Sequence, residues 1–586
     1  MSPKRIAAAA GVVVGLLVLG ACGVPSDGPA TRVQHVPQDE SKQDSSDGMR
    51  PLLPSQDAIN TVDSFLGSAA GDWSGRDKRL NLFTKHPAKW SDPAEGVQLI
   101  RVPSTGIKIV GHGTTTRTKV EVTGKIVGLY TPSGQVKPWS GDDDFTQTYT
   151  LTRDSHPEVW SISNPPKQVA LQDDVFSERY EPSPLYFPAS SDNAGTLVPD
   201  LRWMPMEVTD REARDTQVVD WLMGGPSEWV GSTVSSAFPE GTSRKSVTVS
   251  KNGKRVTVEL SMESAAQPSR DAGDMSAQLA WSLGLHGSQT LRLVVDGRNR
   301  EVAKASKWAG RNHAPRADKL KQNLAYFIKD NGTVWSSDAD DPFFEKKVPG
   351  LTNAALEPRG DRIAGVVGGH LVVGASDKVD RVPKFSSGDL RDPQWLDSRT
   401  LLVLADGTPT TVDIASGESH ELSPRQVDGT ITHIDLAPDG RRLAFVAGGH
   451  AWVATMLPGE KSVSKMASPR RVGNDISEVR DVSWSRETHL MLIGTVADAL
   501  DWLWEVSIDD AYQVSPKGEN GKDRASTLAV RCAPALNPDN AYGQPVLFNV
   551  DGSINRLYSN ELAEVKFPDG KGGQYLASGV APFVAP

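Results

Sequence analysis

The sequence predicts a multidomain, β-rich protein. It has an α+β, cone-like unit near the amino terminus, an α/β module in the middle, and an all-β propeller of five or six blades at the carboxyl end. Three observations carry this. The chain has 586 residues, several times the roughly 100–200 of one domain. It combines 53 Gly and 40 Pro with 38% hydrophobic residues, so it is turn-rich yet apolar enough for several cores. Beyond residue 318 an apolar pattern recurs at the spacing of a four-stranded blade.

The first element is a leader. Lys4 and Arg5 supply positive charge, Ile6 to Leu19 are nearly all apolar, and small residues follow. The apolar run is shorter than the roughly 20 residues that span a bilayer and suits a signal-peptide core. Leu19-Gly20-Ala21-Cys22 matches the lipobox of bacterial lipoproteins. That match implies cleavage between Ala21 and Cys22 and transfer of a diacylglyceryl group to the Cys22 sulfur, with palmitate as a label for acylation. Two acyl chains give stable anchoring where one gives only reversible binding. The chain is thus expected at the cell membrane, lipid-anchored on the extracytoplasmic face, with residues 1–21 as the signal peptide. The only other cysteine, Cys532, has no free partner for a disulfide and is expected as a small buried hydrophobe.

Residues 22–54 are rich in Pro, Ser, Asp and Gln without hydrophobic periodicity, so they read as a disordered tether. From Ser55 a helix is expected, with Ile59, Val62, Phe65 and Leu66 at helical spacing and Gly67 and Gly71 bounding it. Alternating segments such as KVEVTGKIVGLY and FTQTYTLTR follow, giving one helical hairpin feeding a curved sheet over residues 55–183. This order resembles the nuclear-transport-factor-type cone fold.

The middle unit spans 184–305. Its first helix runs over Thr209 to Gly225, with Thr209 and Glu212 as a capping box and Gly224-Gly225-Pro226 as its stop. Two alternating strands flank Asn252-Gly253, a strong hairpin signal. A second helix places Met275, Leu279 and Leu283 on one face, and LRLVVDG supplies a closing strand. The stretches LYFP, WLMGGPSE, FPEGT, VTVEL and LRLVVDG, in this order, resemble the GerM-type module of germination and envelope proteins. The basic run from Lys304 to Lys321, with Arg311, Arg316 and Lys319, reads as a solvated connector.

In the propeller region, 318–586, each repeat carries an apolar anchor at Leu356, Trp395, Leu436 or Trp484, followed by turns and short strands. A lone blade leaves both faces bare, so ring stacking is the physical solution. LAYFIKDNGTVWSS and PVLFNVDGSINRLYS are alike, and one is expected to complete the other's blade and close the ring.

Chemistry is sparse. A net charge of −10 argues against nucleic acid as a partner. There is no HExxH, Walker, dinucleotide-binding or GxSxG pattern, and the histidines lack metal-ligand spacing, so no catalytic residue, metal or cofactor is expected. Ser462 and Lys465 fit Ser-x-x-Lys by chance composition. Asp142-Asp143-Asp144 and Asp338, Asp340 and Asp341 read as solvated turns. Trp395 and Trp484, as repeat anchors, and Trp221 and Trp281, on helices, are expected to pack rather than to stack on sugars.

Lipobox, tether, cone, GerM-type module and propeller, in that order, resemble the LpqB lipoproteins of actinobacteria. The resemblance implies a non-enzymatic envelope protein. It would engage the extracytoplasmic domain of an MtrB-like sensor kinase, within a two-component system serving cell-envelope homeostasis and division. A propeller hydrolase, or a glycan-binding protein acting on peptidoglycan, is the alternative. The hydrolase requires converging carboxylates or a Ser/His pair in the central channel.

Overall fold

The computed structural model describes residues 52–584 apart from short internal segments, the longest being 263–270, 312–324, 516–524 and 531–545. Cys22, Ala21, Cys532, Asp142, Asp338 and Ser462 lie outside the described residues. Within them, no helix is long and apolar enough to cross a membrane.

The chain enters through α1 (Ala58–Gly67), capped by Asp57, whose carboxylate accepts from the Asn60 N–H at 2.8 Å. Val62, Phe65 and Leu66 are buried at the helical spacing the sequence displays. After α2 (Arg76–Asn81) a seven-stranded sheet forms from β1 (Val97–Arg101), β2 (Ile107–Ile109), β3 (Arg117–Tyr130), β4 (Val136–Pro138), β5 (Asp144–Arg153), β6 (Trp160–Ile162) and β7 (Ala170–Gln172). Its main order is β6-β5-β3-β1-β7, with the fourteen-residue β3 as the spine. A third helix, α3 (Asp173–Arg179), was not legible as a separate element, because only Phe176 is buried along it. Phe65 sits edge-on to Phe83 and Tyr149, so the amphipathic α1 faces an aromatic interior.

Short paired strands β8 (Tyr180–Pro182), β9 (Leu185–Pro188), β10 (Leu197–Asp200) and β11 (Trp203–Pro205) lead to α4 (Arg211–Met223) and α5 (Glu228–Gly231). The expected capping box on Thr209 is not what caps α4. Asp210 is the N-cap, accepting from the Ala213 N–H at 2.8 Å, while Glu212 reaches out to the Val249 N–H. A carboxylate one residue closer to the first turn meets the free N–H groups better than a threonine hydroxyl. The helix stops at Gly224, and Gly225 takes φ +81°. A four-stranded sheet follows in the order of β12 (Ser243–Val249), β13 (Arg255–Ser261), β14 (Thr290–Val295) and β15 (Arg298–Lys304). Asn252-Gly253 turns β12 into β13, with Gly253 at φ +67°. The parallel β13–β14 step is bridged by α6 (Asp271–Ser282).

The Lys304 connector needs correction. Lys304 ends β15, a helical turn at Ala305–Trp308 buries Trp308 in the core of the middle unit, and Arg311 pairs with Asp274 at 3.0 Å. An indole four residues beyond a strand has apolar surface to hide, and the basic residues around it obscured that in the sequence.

From residue 325 onward there are six four-stranded antiparallel sheets among the described residues, numbered I to VI. Their inner strands are Ala581–Val584 (I), Leu351–Leu356 (II), Leu390–Trp395 (III), Ile431–Leu436 (IV), Ser477–Arg486 (V) and Ala525–Val530 (VI). Each inner strand contacts the next, and Ala581–Val584 touches both sheet II and sheet VI, so the sheets form a closed ring. The similar segments do not complete one another. Each forms the middle hairpin of its own sheet, Ala325–Ile328 with Thr333–Ser336 in I and Val546–Val550 with Ser553–Tyr558 in VI. Closure comes from the carboxyl-terminal strand Ala581–Val584 pairing with Ala325–Ile328. A four-residue strand of Ala, Pro, Phe and Val carries no alternation that would announce it.

The anchors work between sheets. The Trp395 indole N–H donates to the Ala355 carbonyl at 3.1 Å, and that of Trp484 to the Asp435 carbonyl at 3.1 Å. Each ring also lies over an arginine of the preceding sheet, Arg362 at 4.8 Å and Arg442 at 4.7 Å. Those arginines are held by Glu357 and Asp439, so one device recurs at the II/III and IV/V junctions. Trp221 and Trp281 are buried as well, donating to the carbonyls of Pro132 and Trp308.

Candidate functional site

The inner strands enclose an axial channel with a cavity of about 180 Å³. Three residues from each strand line it. The residue three before each anchor faces the lumen: Asn353, Asp392, His433 and Asp481, preceding Leu356, Trp395, Leu436 and Trp484. Asp435 adds a third carboxylate. The repeats contained this signal, since DPQW and DVSW both place aspartate three residues before tryptophan. It was missed because the anchors drew notice for packing alone.

These carboxylates bridge the ring. Asp392 accepts from the Ile434 N–H at 3.1 Å, across the III/IV junction. Asp435 accepts from the Trp484 N–H at 2.8 Å and the Ser483 hydroxyl at 2.9 Å, across IV/V. Asp481 accepts from the Leu528 N–H at 2.8 Å, across V/VI. Bulges in the inner strands of II to VI shift the register beside these positions and aim the side chains across. Asp392 itself sits at φ +47°.

Burial pushes the Asp392 carboxyl up to about 6 and Asp435 up to about 7, and raises Asp481. Repulsion from neighbouring aspartates adds to the rise at Asp392 and Asp435, while the N–H donors oppose it at all three and His433 opposes it at Asp392 and Asp481. A carboxyl with a raised native pKa binds protons more tightly folded than unfolded. Its neutral form therefore favours folding at low pH, and that advantage disappears as pH rises from about 4 through 7. Asp435→Asn is expected to match the parent in thermal midpoint near pH 4 and to exceed it progressively up to pH 7. The limiting slope is about 1.4 kcal/mol per pH unit. Parallel midpoint curves for the two proteins would refute the assignment.

Chemically, the channel is a mixed polar lining whose aspartates each spend an oxygen on a neighbouring strand. A glycosidase pair needs one carboxyl as acid and one free as base or nucleophile. The described carboxylates of the acidic turns are engaged separately: Asp143 accepts from the Trp139 indole N–H at 2.7 Å, Asp144 pairs with Lys125 at 2.9 Å, and Asp341 accepts from the Tyr326 hydroxyl at 2.7 Å. Lys465 lies on the outer strand of sheet IV. Among the described residues no group of three or more metal-ligating side chains has the geometry to hold an ion.

The second feature is an interface that sequence reasoning did not foresee. Sheets IV and V share one hydrophobic cluster with α1, the seven-stranded sheet, Tyr180 and Trp203. Trp203, 1% exposed, donates its indole N–H to buried Asp509 at 2.8 Å, and its ring stands edge-on to His489. Burial holds the His489 imidazole well below its ordinary pKa and raises Asp509. Trp229 donates to the Ser468 carbonyl at 2.9 Å, with the Arg470 guanidinium 3.9 Å from its ring centre. Tyr186 hydrogen-bonds Glu487, and Arg101 bridges Asp173 and Asp475. Residues from both amino-terminal units thus converge on the same two sheets.

Comparison with known proteins follows the same division. Residues 184–301 match the family model Germane, described as sporulation and spore germination, and residues 336–529 match one described as the lipoprotein LpqB β-propeller domain. The chain is 25% identical to Lipoprotein LpqB of Thermobifida fusca over 72% of its length and 76% of that protein. It is 23% identical to Lipoprotein LpqB of Streptomyces coelicolor, covering 86% and 89% of the two chains. With Lipoprotein LpqB of Mycobacterium tuberculosis identity is 27%, over 61% and 65%.

Proposed function

This chain belongs to the LpqB lipoprotein family, and from that premise we propose that it is a lipid-anchored accessory protein that binds the extracytoplasmic domain of an MtrB-like sensor kinase and modulates its signalling. Envelope homeostasis and cell division are the processes it serves. The observation that carries this is the buried interface on sheets IV and V. It makes the folded units one body with broad outer faces and leaves the channel aspartates engaged in holding strands.

In this reading Cys22 holds the chain at the membrane, residues 22–54 are the tether, and 55–183, 184–305 and 318–586 are the folded units, the last a six-bladed propeller. An anchored binder needs only modest intrinsic affinity, because a tether raises its effective concentration toward a partner in the same bilayer. A kinase contact should then be spread over a surface and weak in solution.

The test is retention of the chain lacking residues 1–51 on the immobilised extracytoplasmic domain of the kinase, with purified peptidoglycan as the second matrix. Retention by the kinase domain at tens of micromolar is the expected result. Retention by peptidoglycan alone would replace the adaptor by the glycan-binding reading. Release of soluble fragments, lost in Asp435→Asn, would replace it by the hydrolase.

A further inference from the structure

The middle unit carries charge opposite to that of the chain. Strands β12 to β15 and their two hairpin turns hold nine cations, Arg244, Lys245, Lys251, Lys254, Arg255, Arg292, Arg298, Arg300 and Lys304, against three carboxylates, Glu259, Asp296 and Glu301, in a protein of net charge −10. Two of the three carboxylates are already paired locally, Asp296 with Lys245 and Glu301 with Lys307.

Arg255, Arg292 and Lys304 share the face turned away from the helices, whereas Arg244 lies across from Leu260 and pairs with Asp220 of α4. Val256, Val258, Leu260, Leu291 and Leu293 point into the core beneath the helices. The opposite face is built from cross-strand rows that register fixes: Arg255, Thr290 and Lys304 in one, and Thr248, Thr257, Arg292 and Val302 in the next. The hairpin Lys251–Lys254 projects at the end where Arg255 and Lys304 lie, and all four of those cations are exposed. β15 is the edge of the sheet, and on it Val302 is 55% exposed, one of four large apolar side chains so exposed among the described residues.

We propose that this face docks on the anionic headgroups of the phospholipid bilayer. The proposal rests on the lipid-anchored reading above, which brings the sheet to that surface. Lysines and arginines on the same face as an exposed valine match a headgroup layer, where cations meet phosphates and an apolar side chain enters the acyl boundary. Headgroup attraction fades within a Debye length of about 8 Å at physiological salt. On that reading the 31 residues from Cys22 to Leu52 connect the folded body to the acylated end and limit its distance from the bilayer. The tether therefore confines the body near the bilayer, and the basic face would set its orientation there, leaving the other surfaces free for a partner.

The test uses the unlipidated chain from Gly23 onward, sedimented with vesicles of phosphatidylcholine alone or with 30% phosphatidylglycerol. The expected result is at least tenfold greater partition to the anionic vesicles, lost in 0.5 M salt. Reversal at Lys254→Glu, Arg255→Glu and Lys304→Glu should remove the preference, and Val302→Asp should weaken it several-fold. These side chains are exposed, so the thermal midpoint should not change. If the reversal variant does unfold, the triple Gln variant replaces it, with the same loss expected. Equal partition to both vesicles, partition untouched by the reversals, or capture by soluble polyphosphate without vesicle preference would each overturn the proposal. Because this chain carries no lipid, its behaviour is independent of Cys22, and failure of the anchor would appear separately as missing palmitate incorporation.

Discussion

Trp203→Ala is expected to cost about 3–5 kcal/mol and to split thermal unfolding into two resolved steps. The indole is 1% exposed, stacks edge-on with Phe176 at 5.2 Å, and spans the junction between the amino-terminal units and sheet V. Its removal leaves a cavity in a shared core and takes a hydrogen bond from the buried carboxylate of Asp509. A buried acceptor stripped of its donor adds about 1–3 kcal/mol of desolvation cost. Trp203→Phe keeps most of the apolar area but loses the N–H and part of the ring volume, so it should fall between parent and Ala and retain one transition. Calorimetry decides the matter. If Trp203→Ala unfolds in one step at the parental midpoint, the units are not coupled through this contact, and the single-body basis of the proposed function fails with it.

Cys22→Ala is expected to abolish palmitate incorporation and to leave the protein as an uncleaved, unlipidated precursor. In the lipid-anchored reading the sulfur is the nucleophile that takes the lipid, and no other side chain at that position can form the thioether. Each buried methylene contributes about 0.8 kcal/mol to membrane retention, so losing two acyl chains outweighs any surface contact the folded units make. Metabolic labelling with palmitate and the electrophoretic mobility of the precursor give the readout. Continued labelling of the variant would show that the lipid is carried elsewhere.

The residues divide by how local their reasons are. α1, the Asn252-Gly253 hairpin and the buried faces of α4 and α6 were readable, because each follows from spacing within a dozen residues. The anchors Trp395 and Trp484 were readable as core positions by repetition. Their bonds to Ala355 and Asp435 were not, since these link residues 40 and 49 apart. The N-cap of α4 fell to Asp210 instead of Thr209 by one residue of backbone geometry, a margin sequence patterns rarely resolve.

By itself the sequence determined the kinds of folded element, their order and the repeat. All of these are set by short-range periodicity, turn residues and the chemistry of single side chains. Only the tertiary structure decided how the ring closes, which aspartates face its axis, and that Trp203, Trp229 and Tyr186 join the first units to sheets IV and V. Those outcomes depend on which surfaces meet across hundreds of residues. There, burial raises or lowers a proton affinity and an edge strand finds its partner, and no local pattern records either event.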